Sequence, residues 1–203
     1  MGFDPQPREL WLQLQALNPR GRARTERALR RIYSQANEDL QTQTARFLYT
    51  WQSTRRFDVA DDWMATCHLT GPFHWILVCY CLARGRDNYE RVVKLFDRKD
   101  LSDGQIDTLI DQFGIYLYFA RAARRRSALK IIASFYDHAS PEVRWTTAFR
   151  LGTSRATEYR GLLVTLAGDS TKSGYGKVSV VAQQALKYLD GDETIDIGGE
   201  DEA

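Results

Sequence analysis

Five residues of the kinds that bind zinc lie within a short stretch of the chain: Cys67, His68, His74, Cys79 and Cys81. Thiolates and imidazoles are the usual zinc ligands in proteins. Cys79 and Cys81, however, are two positions apart on a predicted helix, so their side chains point about 200° away from each other. Cys79 also lies in an apolar stretch, where a free cysteine behaves as a small hydrophobic residue. We therefore expect buried structural cysteines, with no metal and no cofactor.

A row of aspartates occupies one predicted helix. Asp103, Asp107 and Asp111 recur every four positions and therefore share one helical face. A solvated acidic face is the simplest interpretation, and paired catalytic acids are another. Like charges at this spacing repel one another by roughly a few tenths of a kcal/mol per pair unless something compensates them. The functional alternative is a docking surface for a basic partner protein.

Arginines form two basic groups, one in residues 20–31 and one in the middle of the chain. The second group consists of Arg121, Arg124, Arg125, Arg126 and Lys130. Arg121, Arg124 and Arg125 share a face if the segment is helical, and guanidinium groups bind phosphate or carboxylate through paired hydrogen bonds. Nucleic acid or an acidic protein would fit there. The body lacks the excess charge of a dedicated nucleic-acid module, so a solvated or internally paired face is the alternative.

The chain has five tryptophans, which are Trp11, Trp51, Trp63, Trp75 and Trp145. Three of them fall on apolar stripes and are expected in the core. Trp63 follows two aspartates and Trp145 follows Arg144, so we predict that these two are surface anchors of a partner interface.

The formal net charge of +2 hides an uneven distribution. Residues 190–203 contain seven acidic residues and no Lys or Arg, which leaves about +9 on residues 1–189. We expect 190–203 to be a disordered acidic tail. Such a tail either aids solubility or lies on a basic groove until an acidic or polyanionic partner displaces it.

The composition, the number of cysteines and the missing motifs limit the class of protein to which the chain can belong. A chain of 203 residues with 43% hydrophobic residues can bury one substantial core. The odd number of cysteines and the lack of a leader-like start favour the cytoplasm over a secreted disulfide framework. The longest apolar run, residues 75–83, is shorter than the about 20 residues that span a bilayer, so we expect no membrane helix. The sequence has no glycine-rich phosphate loop, nucleophile elbow or zinc-protease motif that would indicate a hydrolase.

The elements that must position these residues are predicted to be helices. Apolar residues recur at three and four positions between typical helix starts and stops, which indicates an all-α fold. In the clearest segment, Ser140 is a predicted cap and Pro141 occupies the first turn. Gly152 is predicted to adopt a left-handed conformation just past the helix end. Residues 115–136 are predicted to form one long helix, interrupted at most by a bend.

Two helices carry a pattern that resembles the first helix of a HEAT repeat. In the first, the pattern follows a small acidic turn and consists of Pro141, Val143, Arg144, Ala148 and Leu151. In the second, it consists of Val178, Ala182, Leu186 and Leu189. Val143 and Val178 are 35 positions apart, a spacing shared by HEAT-like arrays, and similar steps backward reach Ile106 and the turn before Phe73.

This resemblance implies a short HEAT-like α-solenoid of stacked antiparallel helix pairs, with about ten or eleven helices in one domain over residues 1–189. The motif is well developed only in the last 50 or so residues, and the insertion at residues 170–176 departs from the short turn of the family. An irregular helical bundle is the alternative fold.

Stacked helices suit a non-catalytic protein-binding module, such as an adaptor, a scaffold or a toxin-neutralising immunity-type protein. Residues 103–113 and 142–151 would line its binding face. The predicted partner-binding residues are Arg121, Arg124, Arg125, Arg144, Trp145, Trp63, Asp103, Asp107 and Asp111. The sequence leaves the oligomeric state and the partner's identity open.

The alternative function is nucleic-acid binding through Arg121, Arg124, Arg125 and Arg144, with or without base-excision chemistry. The alkylpurine DNA glycosylases built from HEAT-like repeats use Trp, Asp and Arg in a basic concave groove. This chain has those residue types, but no stretch matches that family's motif residue by residue. The resemblance therefore assigns no catalytic residue.

Overall fold

The structure is a computed structural model that describes residues 9–192, apart from 11, 15, 18–21, 53–62, 65, 69, 83–85 and 118–119. It divides into two compact units, residues 1–105 and 106–203. The prediction of a single domain over residues 1–189 is not tested by this division and stays a prediction. Most of the predicted acidic tail, residues 193–203, lies outside the described residues, as do the side chains of Trp11, Trp51, Cys79 and Cys81.

The described helices of the first unit are α1 (Arg22–Gln35), α2 (Glu38–Gln52), α3 (Thr70–Leu82) and α4 (Arg86–Leu95). Asn37 caps α2, since its Oδ1 accepts a hydrogen bond from the backbone N–H of Leu40 at 3.1 Å. α2 packs along α3. Leu29 and Ile32 of α1 and Phe73 of α3 are fully buried, so the apolar stripes of these helices form the core of this unit.

The remaining elements are α5 (Asp103–Tyr116), α6 (Ala122–Ala133), α7 (Pro141–Thr153), a 3-10 turn (Thr157–Tyr159), α8 (Arg160–Leu166), β1 (Lys172–Ser173), β2 (Gly176–Lys177) and α9 (Val178–Leu189). The two strands pair antiparallel, with Lys172 opposite Lys177 and Ser173 opposite Gly176. Within the described residues this hairpin is the only sheet, and helices form most of the chain. The all-α prediction is therefore confirmed.

Helix α7 packs against α6, α8 and α9 in the second unit. Its residues Val143, Ala148 and Leu151 are fully buried. Gly152 lies inside α7, and a β-carbon there would come 2.8 Å from the Cα of Ala185 in α9. The prediction that Gly152 ends the helix in a left-handed conformation is therefore wrong. The glycine instead allows the backbones of α7 and α9 to approach closely.

The predicted long helix over residues 115–136 is also wrong. α5 continues through Gly114 to Tyr116, and α6 begins separately at Ala122, after Arg121 in an extended conformation. Ser140 precedes α7 without capping it, since its hydroxyl donates to Glu142 Oε2 at 2.9 Å. Pro141 does occupy the first turn, as predicted.

No helix among the described residues combines the length and the apolar character that crossing a bilayer requires.

Candidate functional site

Helix α7 places a polar and aromatic stripe on one face. Glu142, Trp145 and Phe149 are three and four positions apart, so the helical period brings them to the same side. The rings of Trp145 and Phe149 stack with centroids 5.4 Å apart. The guanidinium carbon of Arg150 lies 5.0 Å from the centroid of Phe149. All three stripe residues are half-buried, so each keeps part of its side chain accessible.

Helix α5 adds two carboxylates that bond to α7. The Thr146 hydroxyl donates to Asp107 Oδ1, and Arg150 donates to Asp111 Oδ1 from Nε at 3.0 Å and from its second Nη. Asp107 is only 8% exposed, whereas the Asp111 side chain is 36% exposed. The expectation of a solvated acidic face is therefore wrong for Asp107, because its carboxylate is buried by these contacts with α7.

The β-hairpin brings a tyrosine to the same place. The Tyr175 hydroxyl donates to Asp107 Oδ2 at 2.8 Å, and the Tyr175 ring lies 5.1 Å from the Trp145 ring. At the same tip, the backbone N–H of Gly174 donates to Glu142 Oε1 at 3.2 Å. Tyr175 nevertheless remains 55% exposed. We name this surface the acidic–aromatic face, which consists of Asp107, Asp111, Glu142, Trp145, Phe149 and Tyr175.

Burial and neighbouring charges alter the acidity of this face. Burial raises the pKa of Asp107, and the charges of Asp111 and Glu142 raise it further, against the hydrogen bonds from Thr146 and Tyr175. Burial and the bond to Asp107 raise the pKa of Tyr175 to about 12. Tyr175 therefore keeps its proton at neutral pH and acts as the donor to Asp107.

Hydrogen bonds have the opposite effect on Glu142. Its own backbone N–H, the Ser140 hydroxyl and the Gly174 N–H all hold its charged form and lower its pKa. Glu142 is therefore an ionised acceptor at the edge of the face.

Arg144 fixes the base of the hairpin. Its Nε donates to Asp169 at 2.7 Å, one Nη donates to the carbonyls of His138 and Ala139, and the other donates to the Thr171 hydroxyl. Its side chain is 14% exposed. Burial raises the pKa of Asp169, but the bonds from Arg144 and Thr171 outweigh this and lower it overall. The donors of Arg144 are thus used inside the molecule, which argues against its predicted role in partner binding.

The arginines of α6 do not form the single helical face that we predicted. Arg121 precedes the helix in an extended conformation, and Arg125 donates to the backbone carbonyl of Ser154. Arg121 and Arg126 are exposed, whereas Arg124 and Arg125 are half-buried. Arg121 and Arg126, together with the exposed Lys130, are therefore the part of this basic group that is open to a polyanion.

Trp63 is a core residue, so the prediction of a surface anchor is wrong for it. It is 5% exposed and stacks on Tyr33 with ring centroids 4.1 Å apart.

Asp103 is exposed in the first turn of α5, where its charge complements the helix dipole.

Cys67 is buried, as predicted, and its Sγ accepts a hydrogen bond from the Tyr33 hydroxyl at 3.5 Å. Burial and this contact raise the pKa of Tyr33. Among the residues that the structure describes, no three His, Cys, Asp or Glu side chains form a metal-binding group.

Tyr175 lies outside every predicted site, and Glu142 and Phe149 were predicted only as part of residues 142–151, which were expected to line the binding face. The helical period of α7 does carry the signal for Glu142 and Phe149, because both share a face with Trp145. Tyr175 has no periodic signal, since it lies in the insertion that departs from the repeat pattern.

Comparison with protein-family models, with curated proteins and with solved structures found no match.

Proposed function

We propose that this chain is a non-catalytic protein-binding module of the cytoplasm, an adaptor, scaffold or immunity-type protein, which binds a basic segment of its partner on the acidic–aromatic face. One observation carries the proposal. Tyr175 is 55% exposed although its hydroxyl is bonded to the buried Asp107 and its ring contacts Trp145. An aromatic ring that is positioned by its neighbours and remains accessible is the kind of residue that dominates protein interfaces.

The charges of this face favour a cationic partner. Asp107, Asp111 and Glu142 are three acids, and Arg150 is the cation that bonds directly to one of them. The Tyr175 ring, which remains 55% exposed, presents a π-face that attracts ammonium and guanidinium groups. A Lys or Arg side chain would gain from both features, and complementary charge also speeds association and excludes acidic partners.

Packing in the second unit supports a short HEAT-like solenoid. α7 packs against α9 and bonds to α5 through side chains. The helices α5, α7 and α9, which alternate with α6 and α8 along the chain, are therefore neighbours. α6 packs on α7, and α8 packs on α9. Stacked helix pairs have this arrangement, and it places α5 and α7 together at one surface.

The bonding of Asp107 favours a holding role over proton transfer. Both of its oxygens accept hydrogen bonds from hydroxyls of the protein itself. A general base instead needs an oxygen within hydrogen-bond reach of the substrate proton.

Binding of a hexa-arginine peptide, with a hexa-glutamate peptide as the charge-reversed probe, tests the proposal. We expect binding of hexa-arginine alone, and a loss of about threefold in Glu142→Gln, in line with one partly exposed charge pair. Glu158→Gln is the matched control, because it removes the same charge from an exposed position on the 3-10 turn. Equal affinities of the two variants, or equal binding of both peptides, would contradict the proposal.

Nucleic-acid binding is the second candidate, because Arg121 and Arg126 are exposed next to and on α6. This candidate has to do without Arg144, whose donors bind Asp169, Thr171 and two carbonyls. It also has to do without Arg125, which bonds to Ser154. A base-excision activity would belong to this candidate.

A further inference from the structure

The hairpin has a firmly held base and a lightly held tip. At the base, Arg144 bonds to Asp169 and Thr171, and the backbone N–H groups of Val178 and Ser179 donate to the carbonyls of Thr171 and Asp169. Charge-assisted bonds of this kind are the strong ones. The base therefore belongs to the rigid part of the second unit.

The tip makes three contacts with residues of helices α5 and α7. They are the Tyr175 hydroxyl bond to Asp107, the Tyr175 ring contact with Trp145, and the Gly174 N–H bond to Glu142. Gly176 has a φ of +121°, a conformation that side chains rarely adopt, and a β-carbon at Gly174 or Gly176 would meet nothing within 4 Å. The tip is thus joined to β2 by a glycine in open space. Within the turn the Ser173 hydroxyl accepts a hydrogen bond from the Tyr175 N–H at 3.0 Å and donates to the Gly176 carbonyl at 2.9 Å. These internal bonds maintain the turn but do not join it to α5 or α7.

Tyr175 contacts the Asp107 carboxylate, which is also the group that a basic partner would bind. Asp107 is 8% exposed, and the Tyr175 hydroxyl occupies its Oδ2. A hydroxyl donor on a carboxylate is a weaker counterpart of an ammonium or guanidinium donor, because hydrogen bonds between two charged groups are stronger.

We propose that the hairpin tip is a movable strap, and that Tyr175 is a built-in competitor which a basic side chain of the partner displaces from Asp107. This inference rests on the proposed function. In the closed state Tyr175 satisfies the buried carboxylate and shields Trp145. Opening frees both groups, so the apparent affinity for the partner is reduced in proportion to the closed fraction.

Amide hydrogen exchange tests the strap without a ligand. In Tyr175→Phe the ring remains but the bond to Asp107 is lost, so the tip opens more often. We expect the Gly174 amide to exchange about tenfold faster in this variant, although its own acceptor, Glu142, is unchanged. Amides of α7 should keep their exchange rates, which shows that the fold is retained. An unchanged rate at Gly174 would overturn the strap.

Binding of the hexa-arginine peptide tests the displacement. Tyr175→Phe should bind the peptide about threefold to tenfold more tightly than the wild type, because less of the protein is closed. Tyr159→Phe, the same change on the 3-10 turn, should have no effect. Weaker binding by Tyr175→Phe would overturn the competitor role and make the hydroxyl part of the binding surface. If neither protein binds the peptide, the proposed function fails and the displacement fails with it, whereas the exchange result still decides whether the strap moves.

Discussion

Gly114 of α5 lies directly against the side chain of Arg150 of α7, where a β-carbon would come 2.8 Å from Arg150 Cγ and 2.9 Å from Nε. Arg150 is only 8% exposed and is held by two hydrogen bonds to Asp111. The absence of a side chain at position 114 is thus what allows the bond between α5 and α7 to form.

Gly114→Ala should destabilise the protein, because the new methyl group has to displace Arg150 from Asp111. We expect the free energy of unfolding in urea to fall by about 1–3 kcal/mol, the usual cost of overpacking. Gly161→Ala is the matched control, since a β-carbon there meets nothing within 4 Å and the residue lies in α8. That change should stabilise by about 0.5–1 kcal/mol through helix propensity. Similar effects of the two substitutions would contradict the role given to Gly114.

Arg144→Lys should destabilise much more than the same change at Arg160. Lysine keeps the charge, but it cannot reach Asp169, Thr171 and the two carbonyls at once. We expect a loss of about 1–3 kcal/mol in thermal unfolding, measured as an unfolding free energy. Arg160 forms a paired but exposed bond to Asp190, so Arg160→Lys should cost less than about 1 kcal/mol.

Limited proteolysis gives an independent measurement of the same effect. Release of the hairpin base in Arg144→Lys should produce early cleavage within residues 169–177 while α7 stays intact. Cleavage that begins instead in α7 would show that Arg144 supports the whole unit and not the hairpin.

The raised pKa of Asp107 predicts how the free energy of unfolding changes with pH. The change has the opposite sign to that expected for most buried acids that pair with arginine. Because its pKa is raised above the ordinary value of 3.8, Asp107 binds its proton more tightly in the folded state. Its contribution to stability is therefore most favourable at low pH and is lost as the pH rises from 3.8 through the raised pKa. Relative to Asp107→Asn, the wild type should lose unfolding free energy over this range.

A titration of the carboxyl chemical shifts by NMR measures the raised pKa of Asp107 and the lowered pKa of Asp169 in one experiment. Asp107 should titrate above 3.8, and Asp169, whose pKa is lowered by Arg144 and Thr171, should titrate below it. Asp169 thus contributes stability above 3.8 that is lost as the pH falls through its lowered pKa. Titration of Asp107 at or below 3.8 would refute the burial argument.

Reversing the two exposed arginines separates the two candidate functions. The double variant Arg121→Glu, Arg126→Glu should leave the affinity for hexa-arginine unchanged or higher, since neither residue belongs to the acidic–aromatic face. Binding of a labelled DNA duplex, measured at two salt concentrations, is the comparison. Salt-sensitive DNA binding that this variant abolishes would favour the nucleic-acid candidate.

The sequence was sufficient where a property follows from the helical period. The period alone places Asp107 and Asp111 on one side of α5. The start of α7 was predicted from Pro141, which fits the first turn of a helix. Glycine was misread at position 152, because a helix end and a close approach of two helices require the same residue. Only the neighbouring Ala185 of α9 distinguishes the two cases.

Contacts between residues that are far apart in the sequence could not be predicted from the helical period. The bond from Tyr175 to Asp107 joins residues 68 positions apart and begins in a segment that is neither helical nor periodic. Trp63 was misassigned for the same reason, since its burial depends on stacking against Tyr33 of α1. Local polarity beside Trp63 suggested the surface, but the stacking partner decides its position.

The firmly held base of the hairpin determines which part of this surface can change. Because Arg144, Asp169 and Thr171 hold the base without help from the tip, residues 173–176 can be exchanged for another short turn while the helices keep their packing. Five of the six residues of the acidic–aromatic face belong to helices α5 and α7, and only Tyr175 belongs to the replaceable turn. A chain built in this way can acquire a new specificity by altering four residues, which makes the hairpin the natural point for grafting a different recognition element.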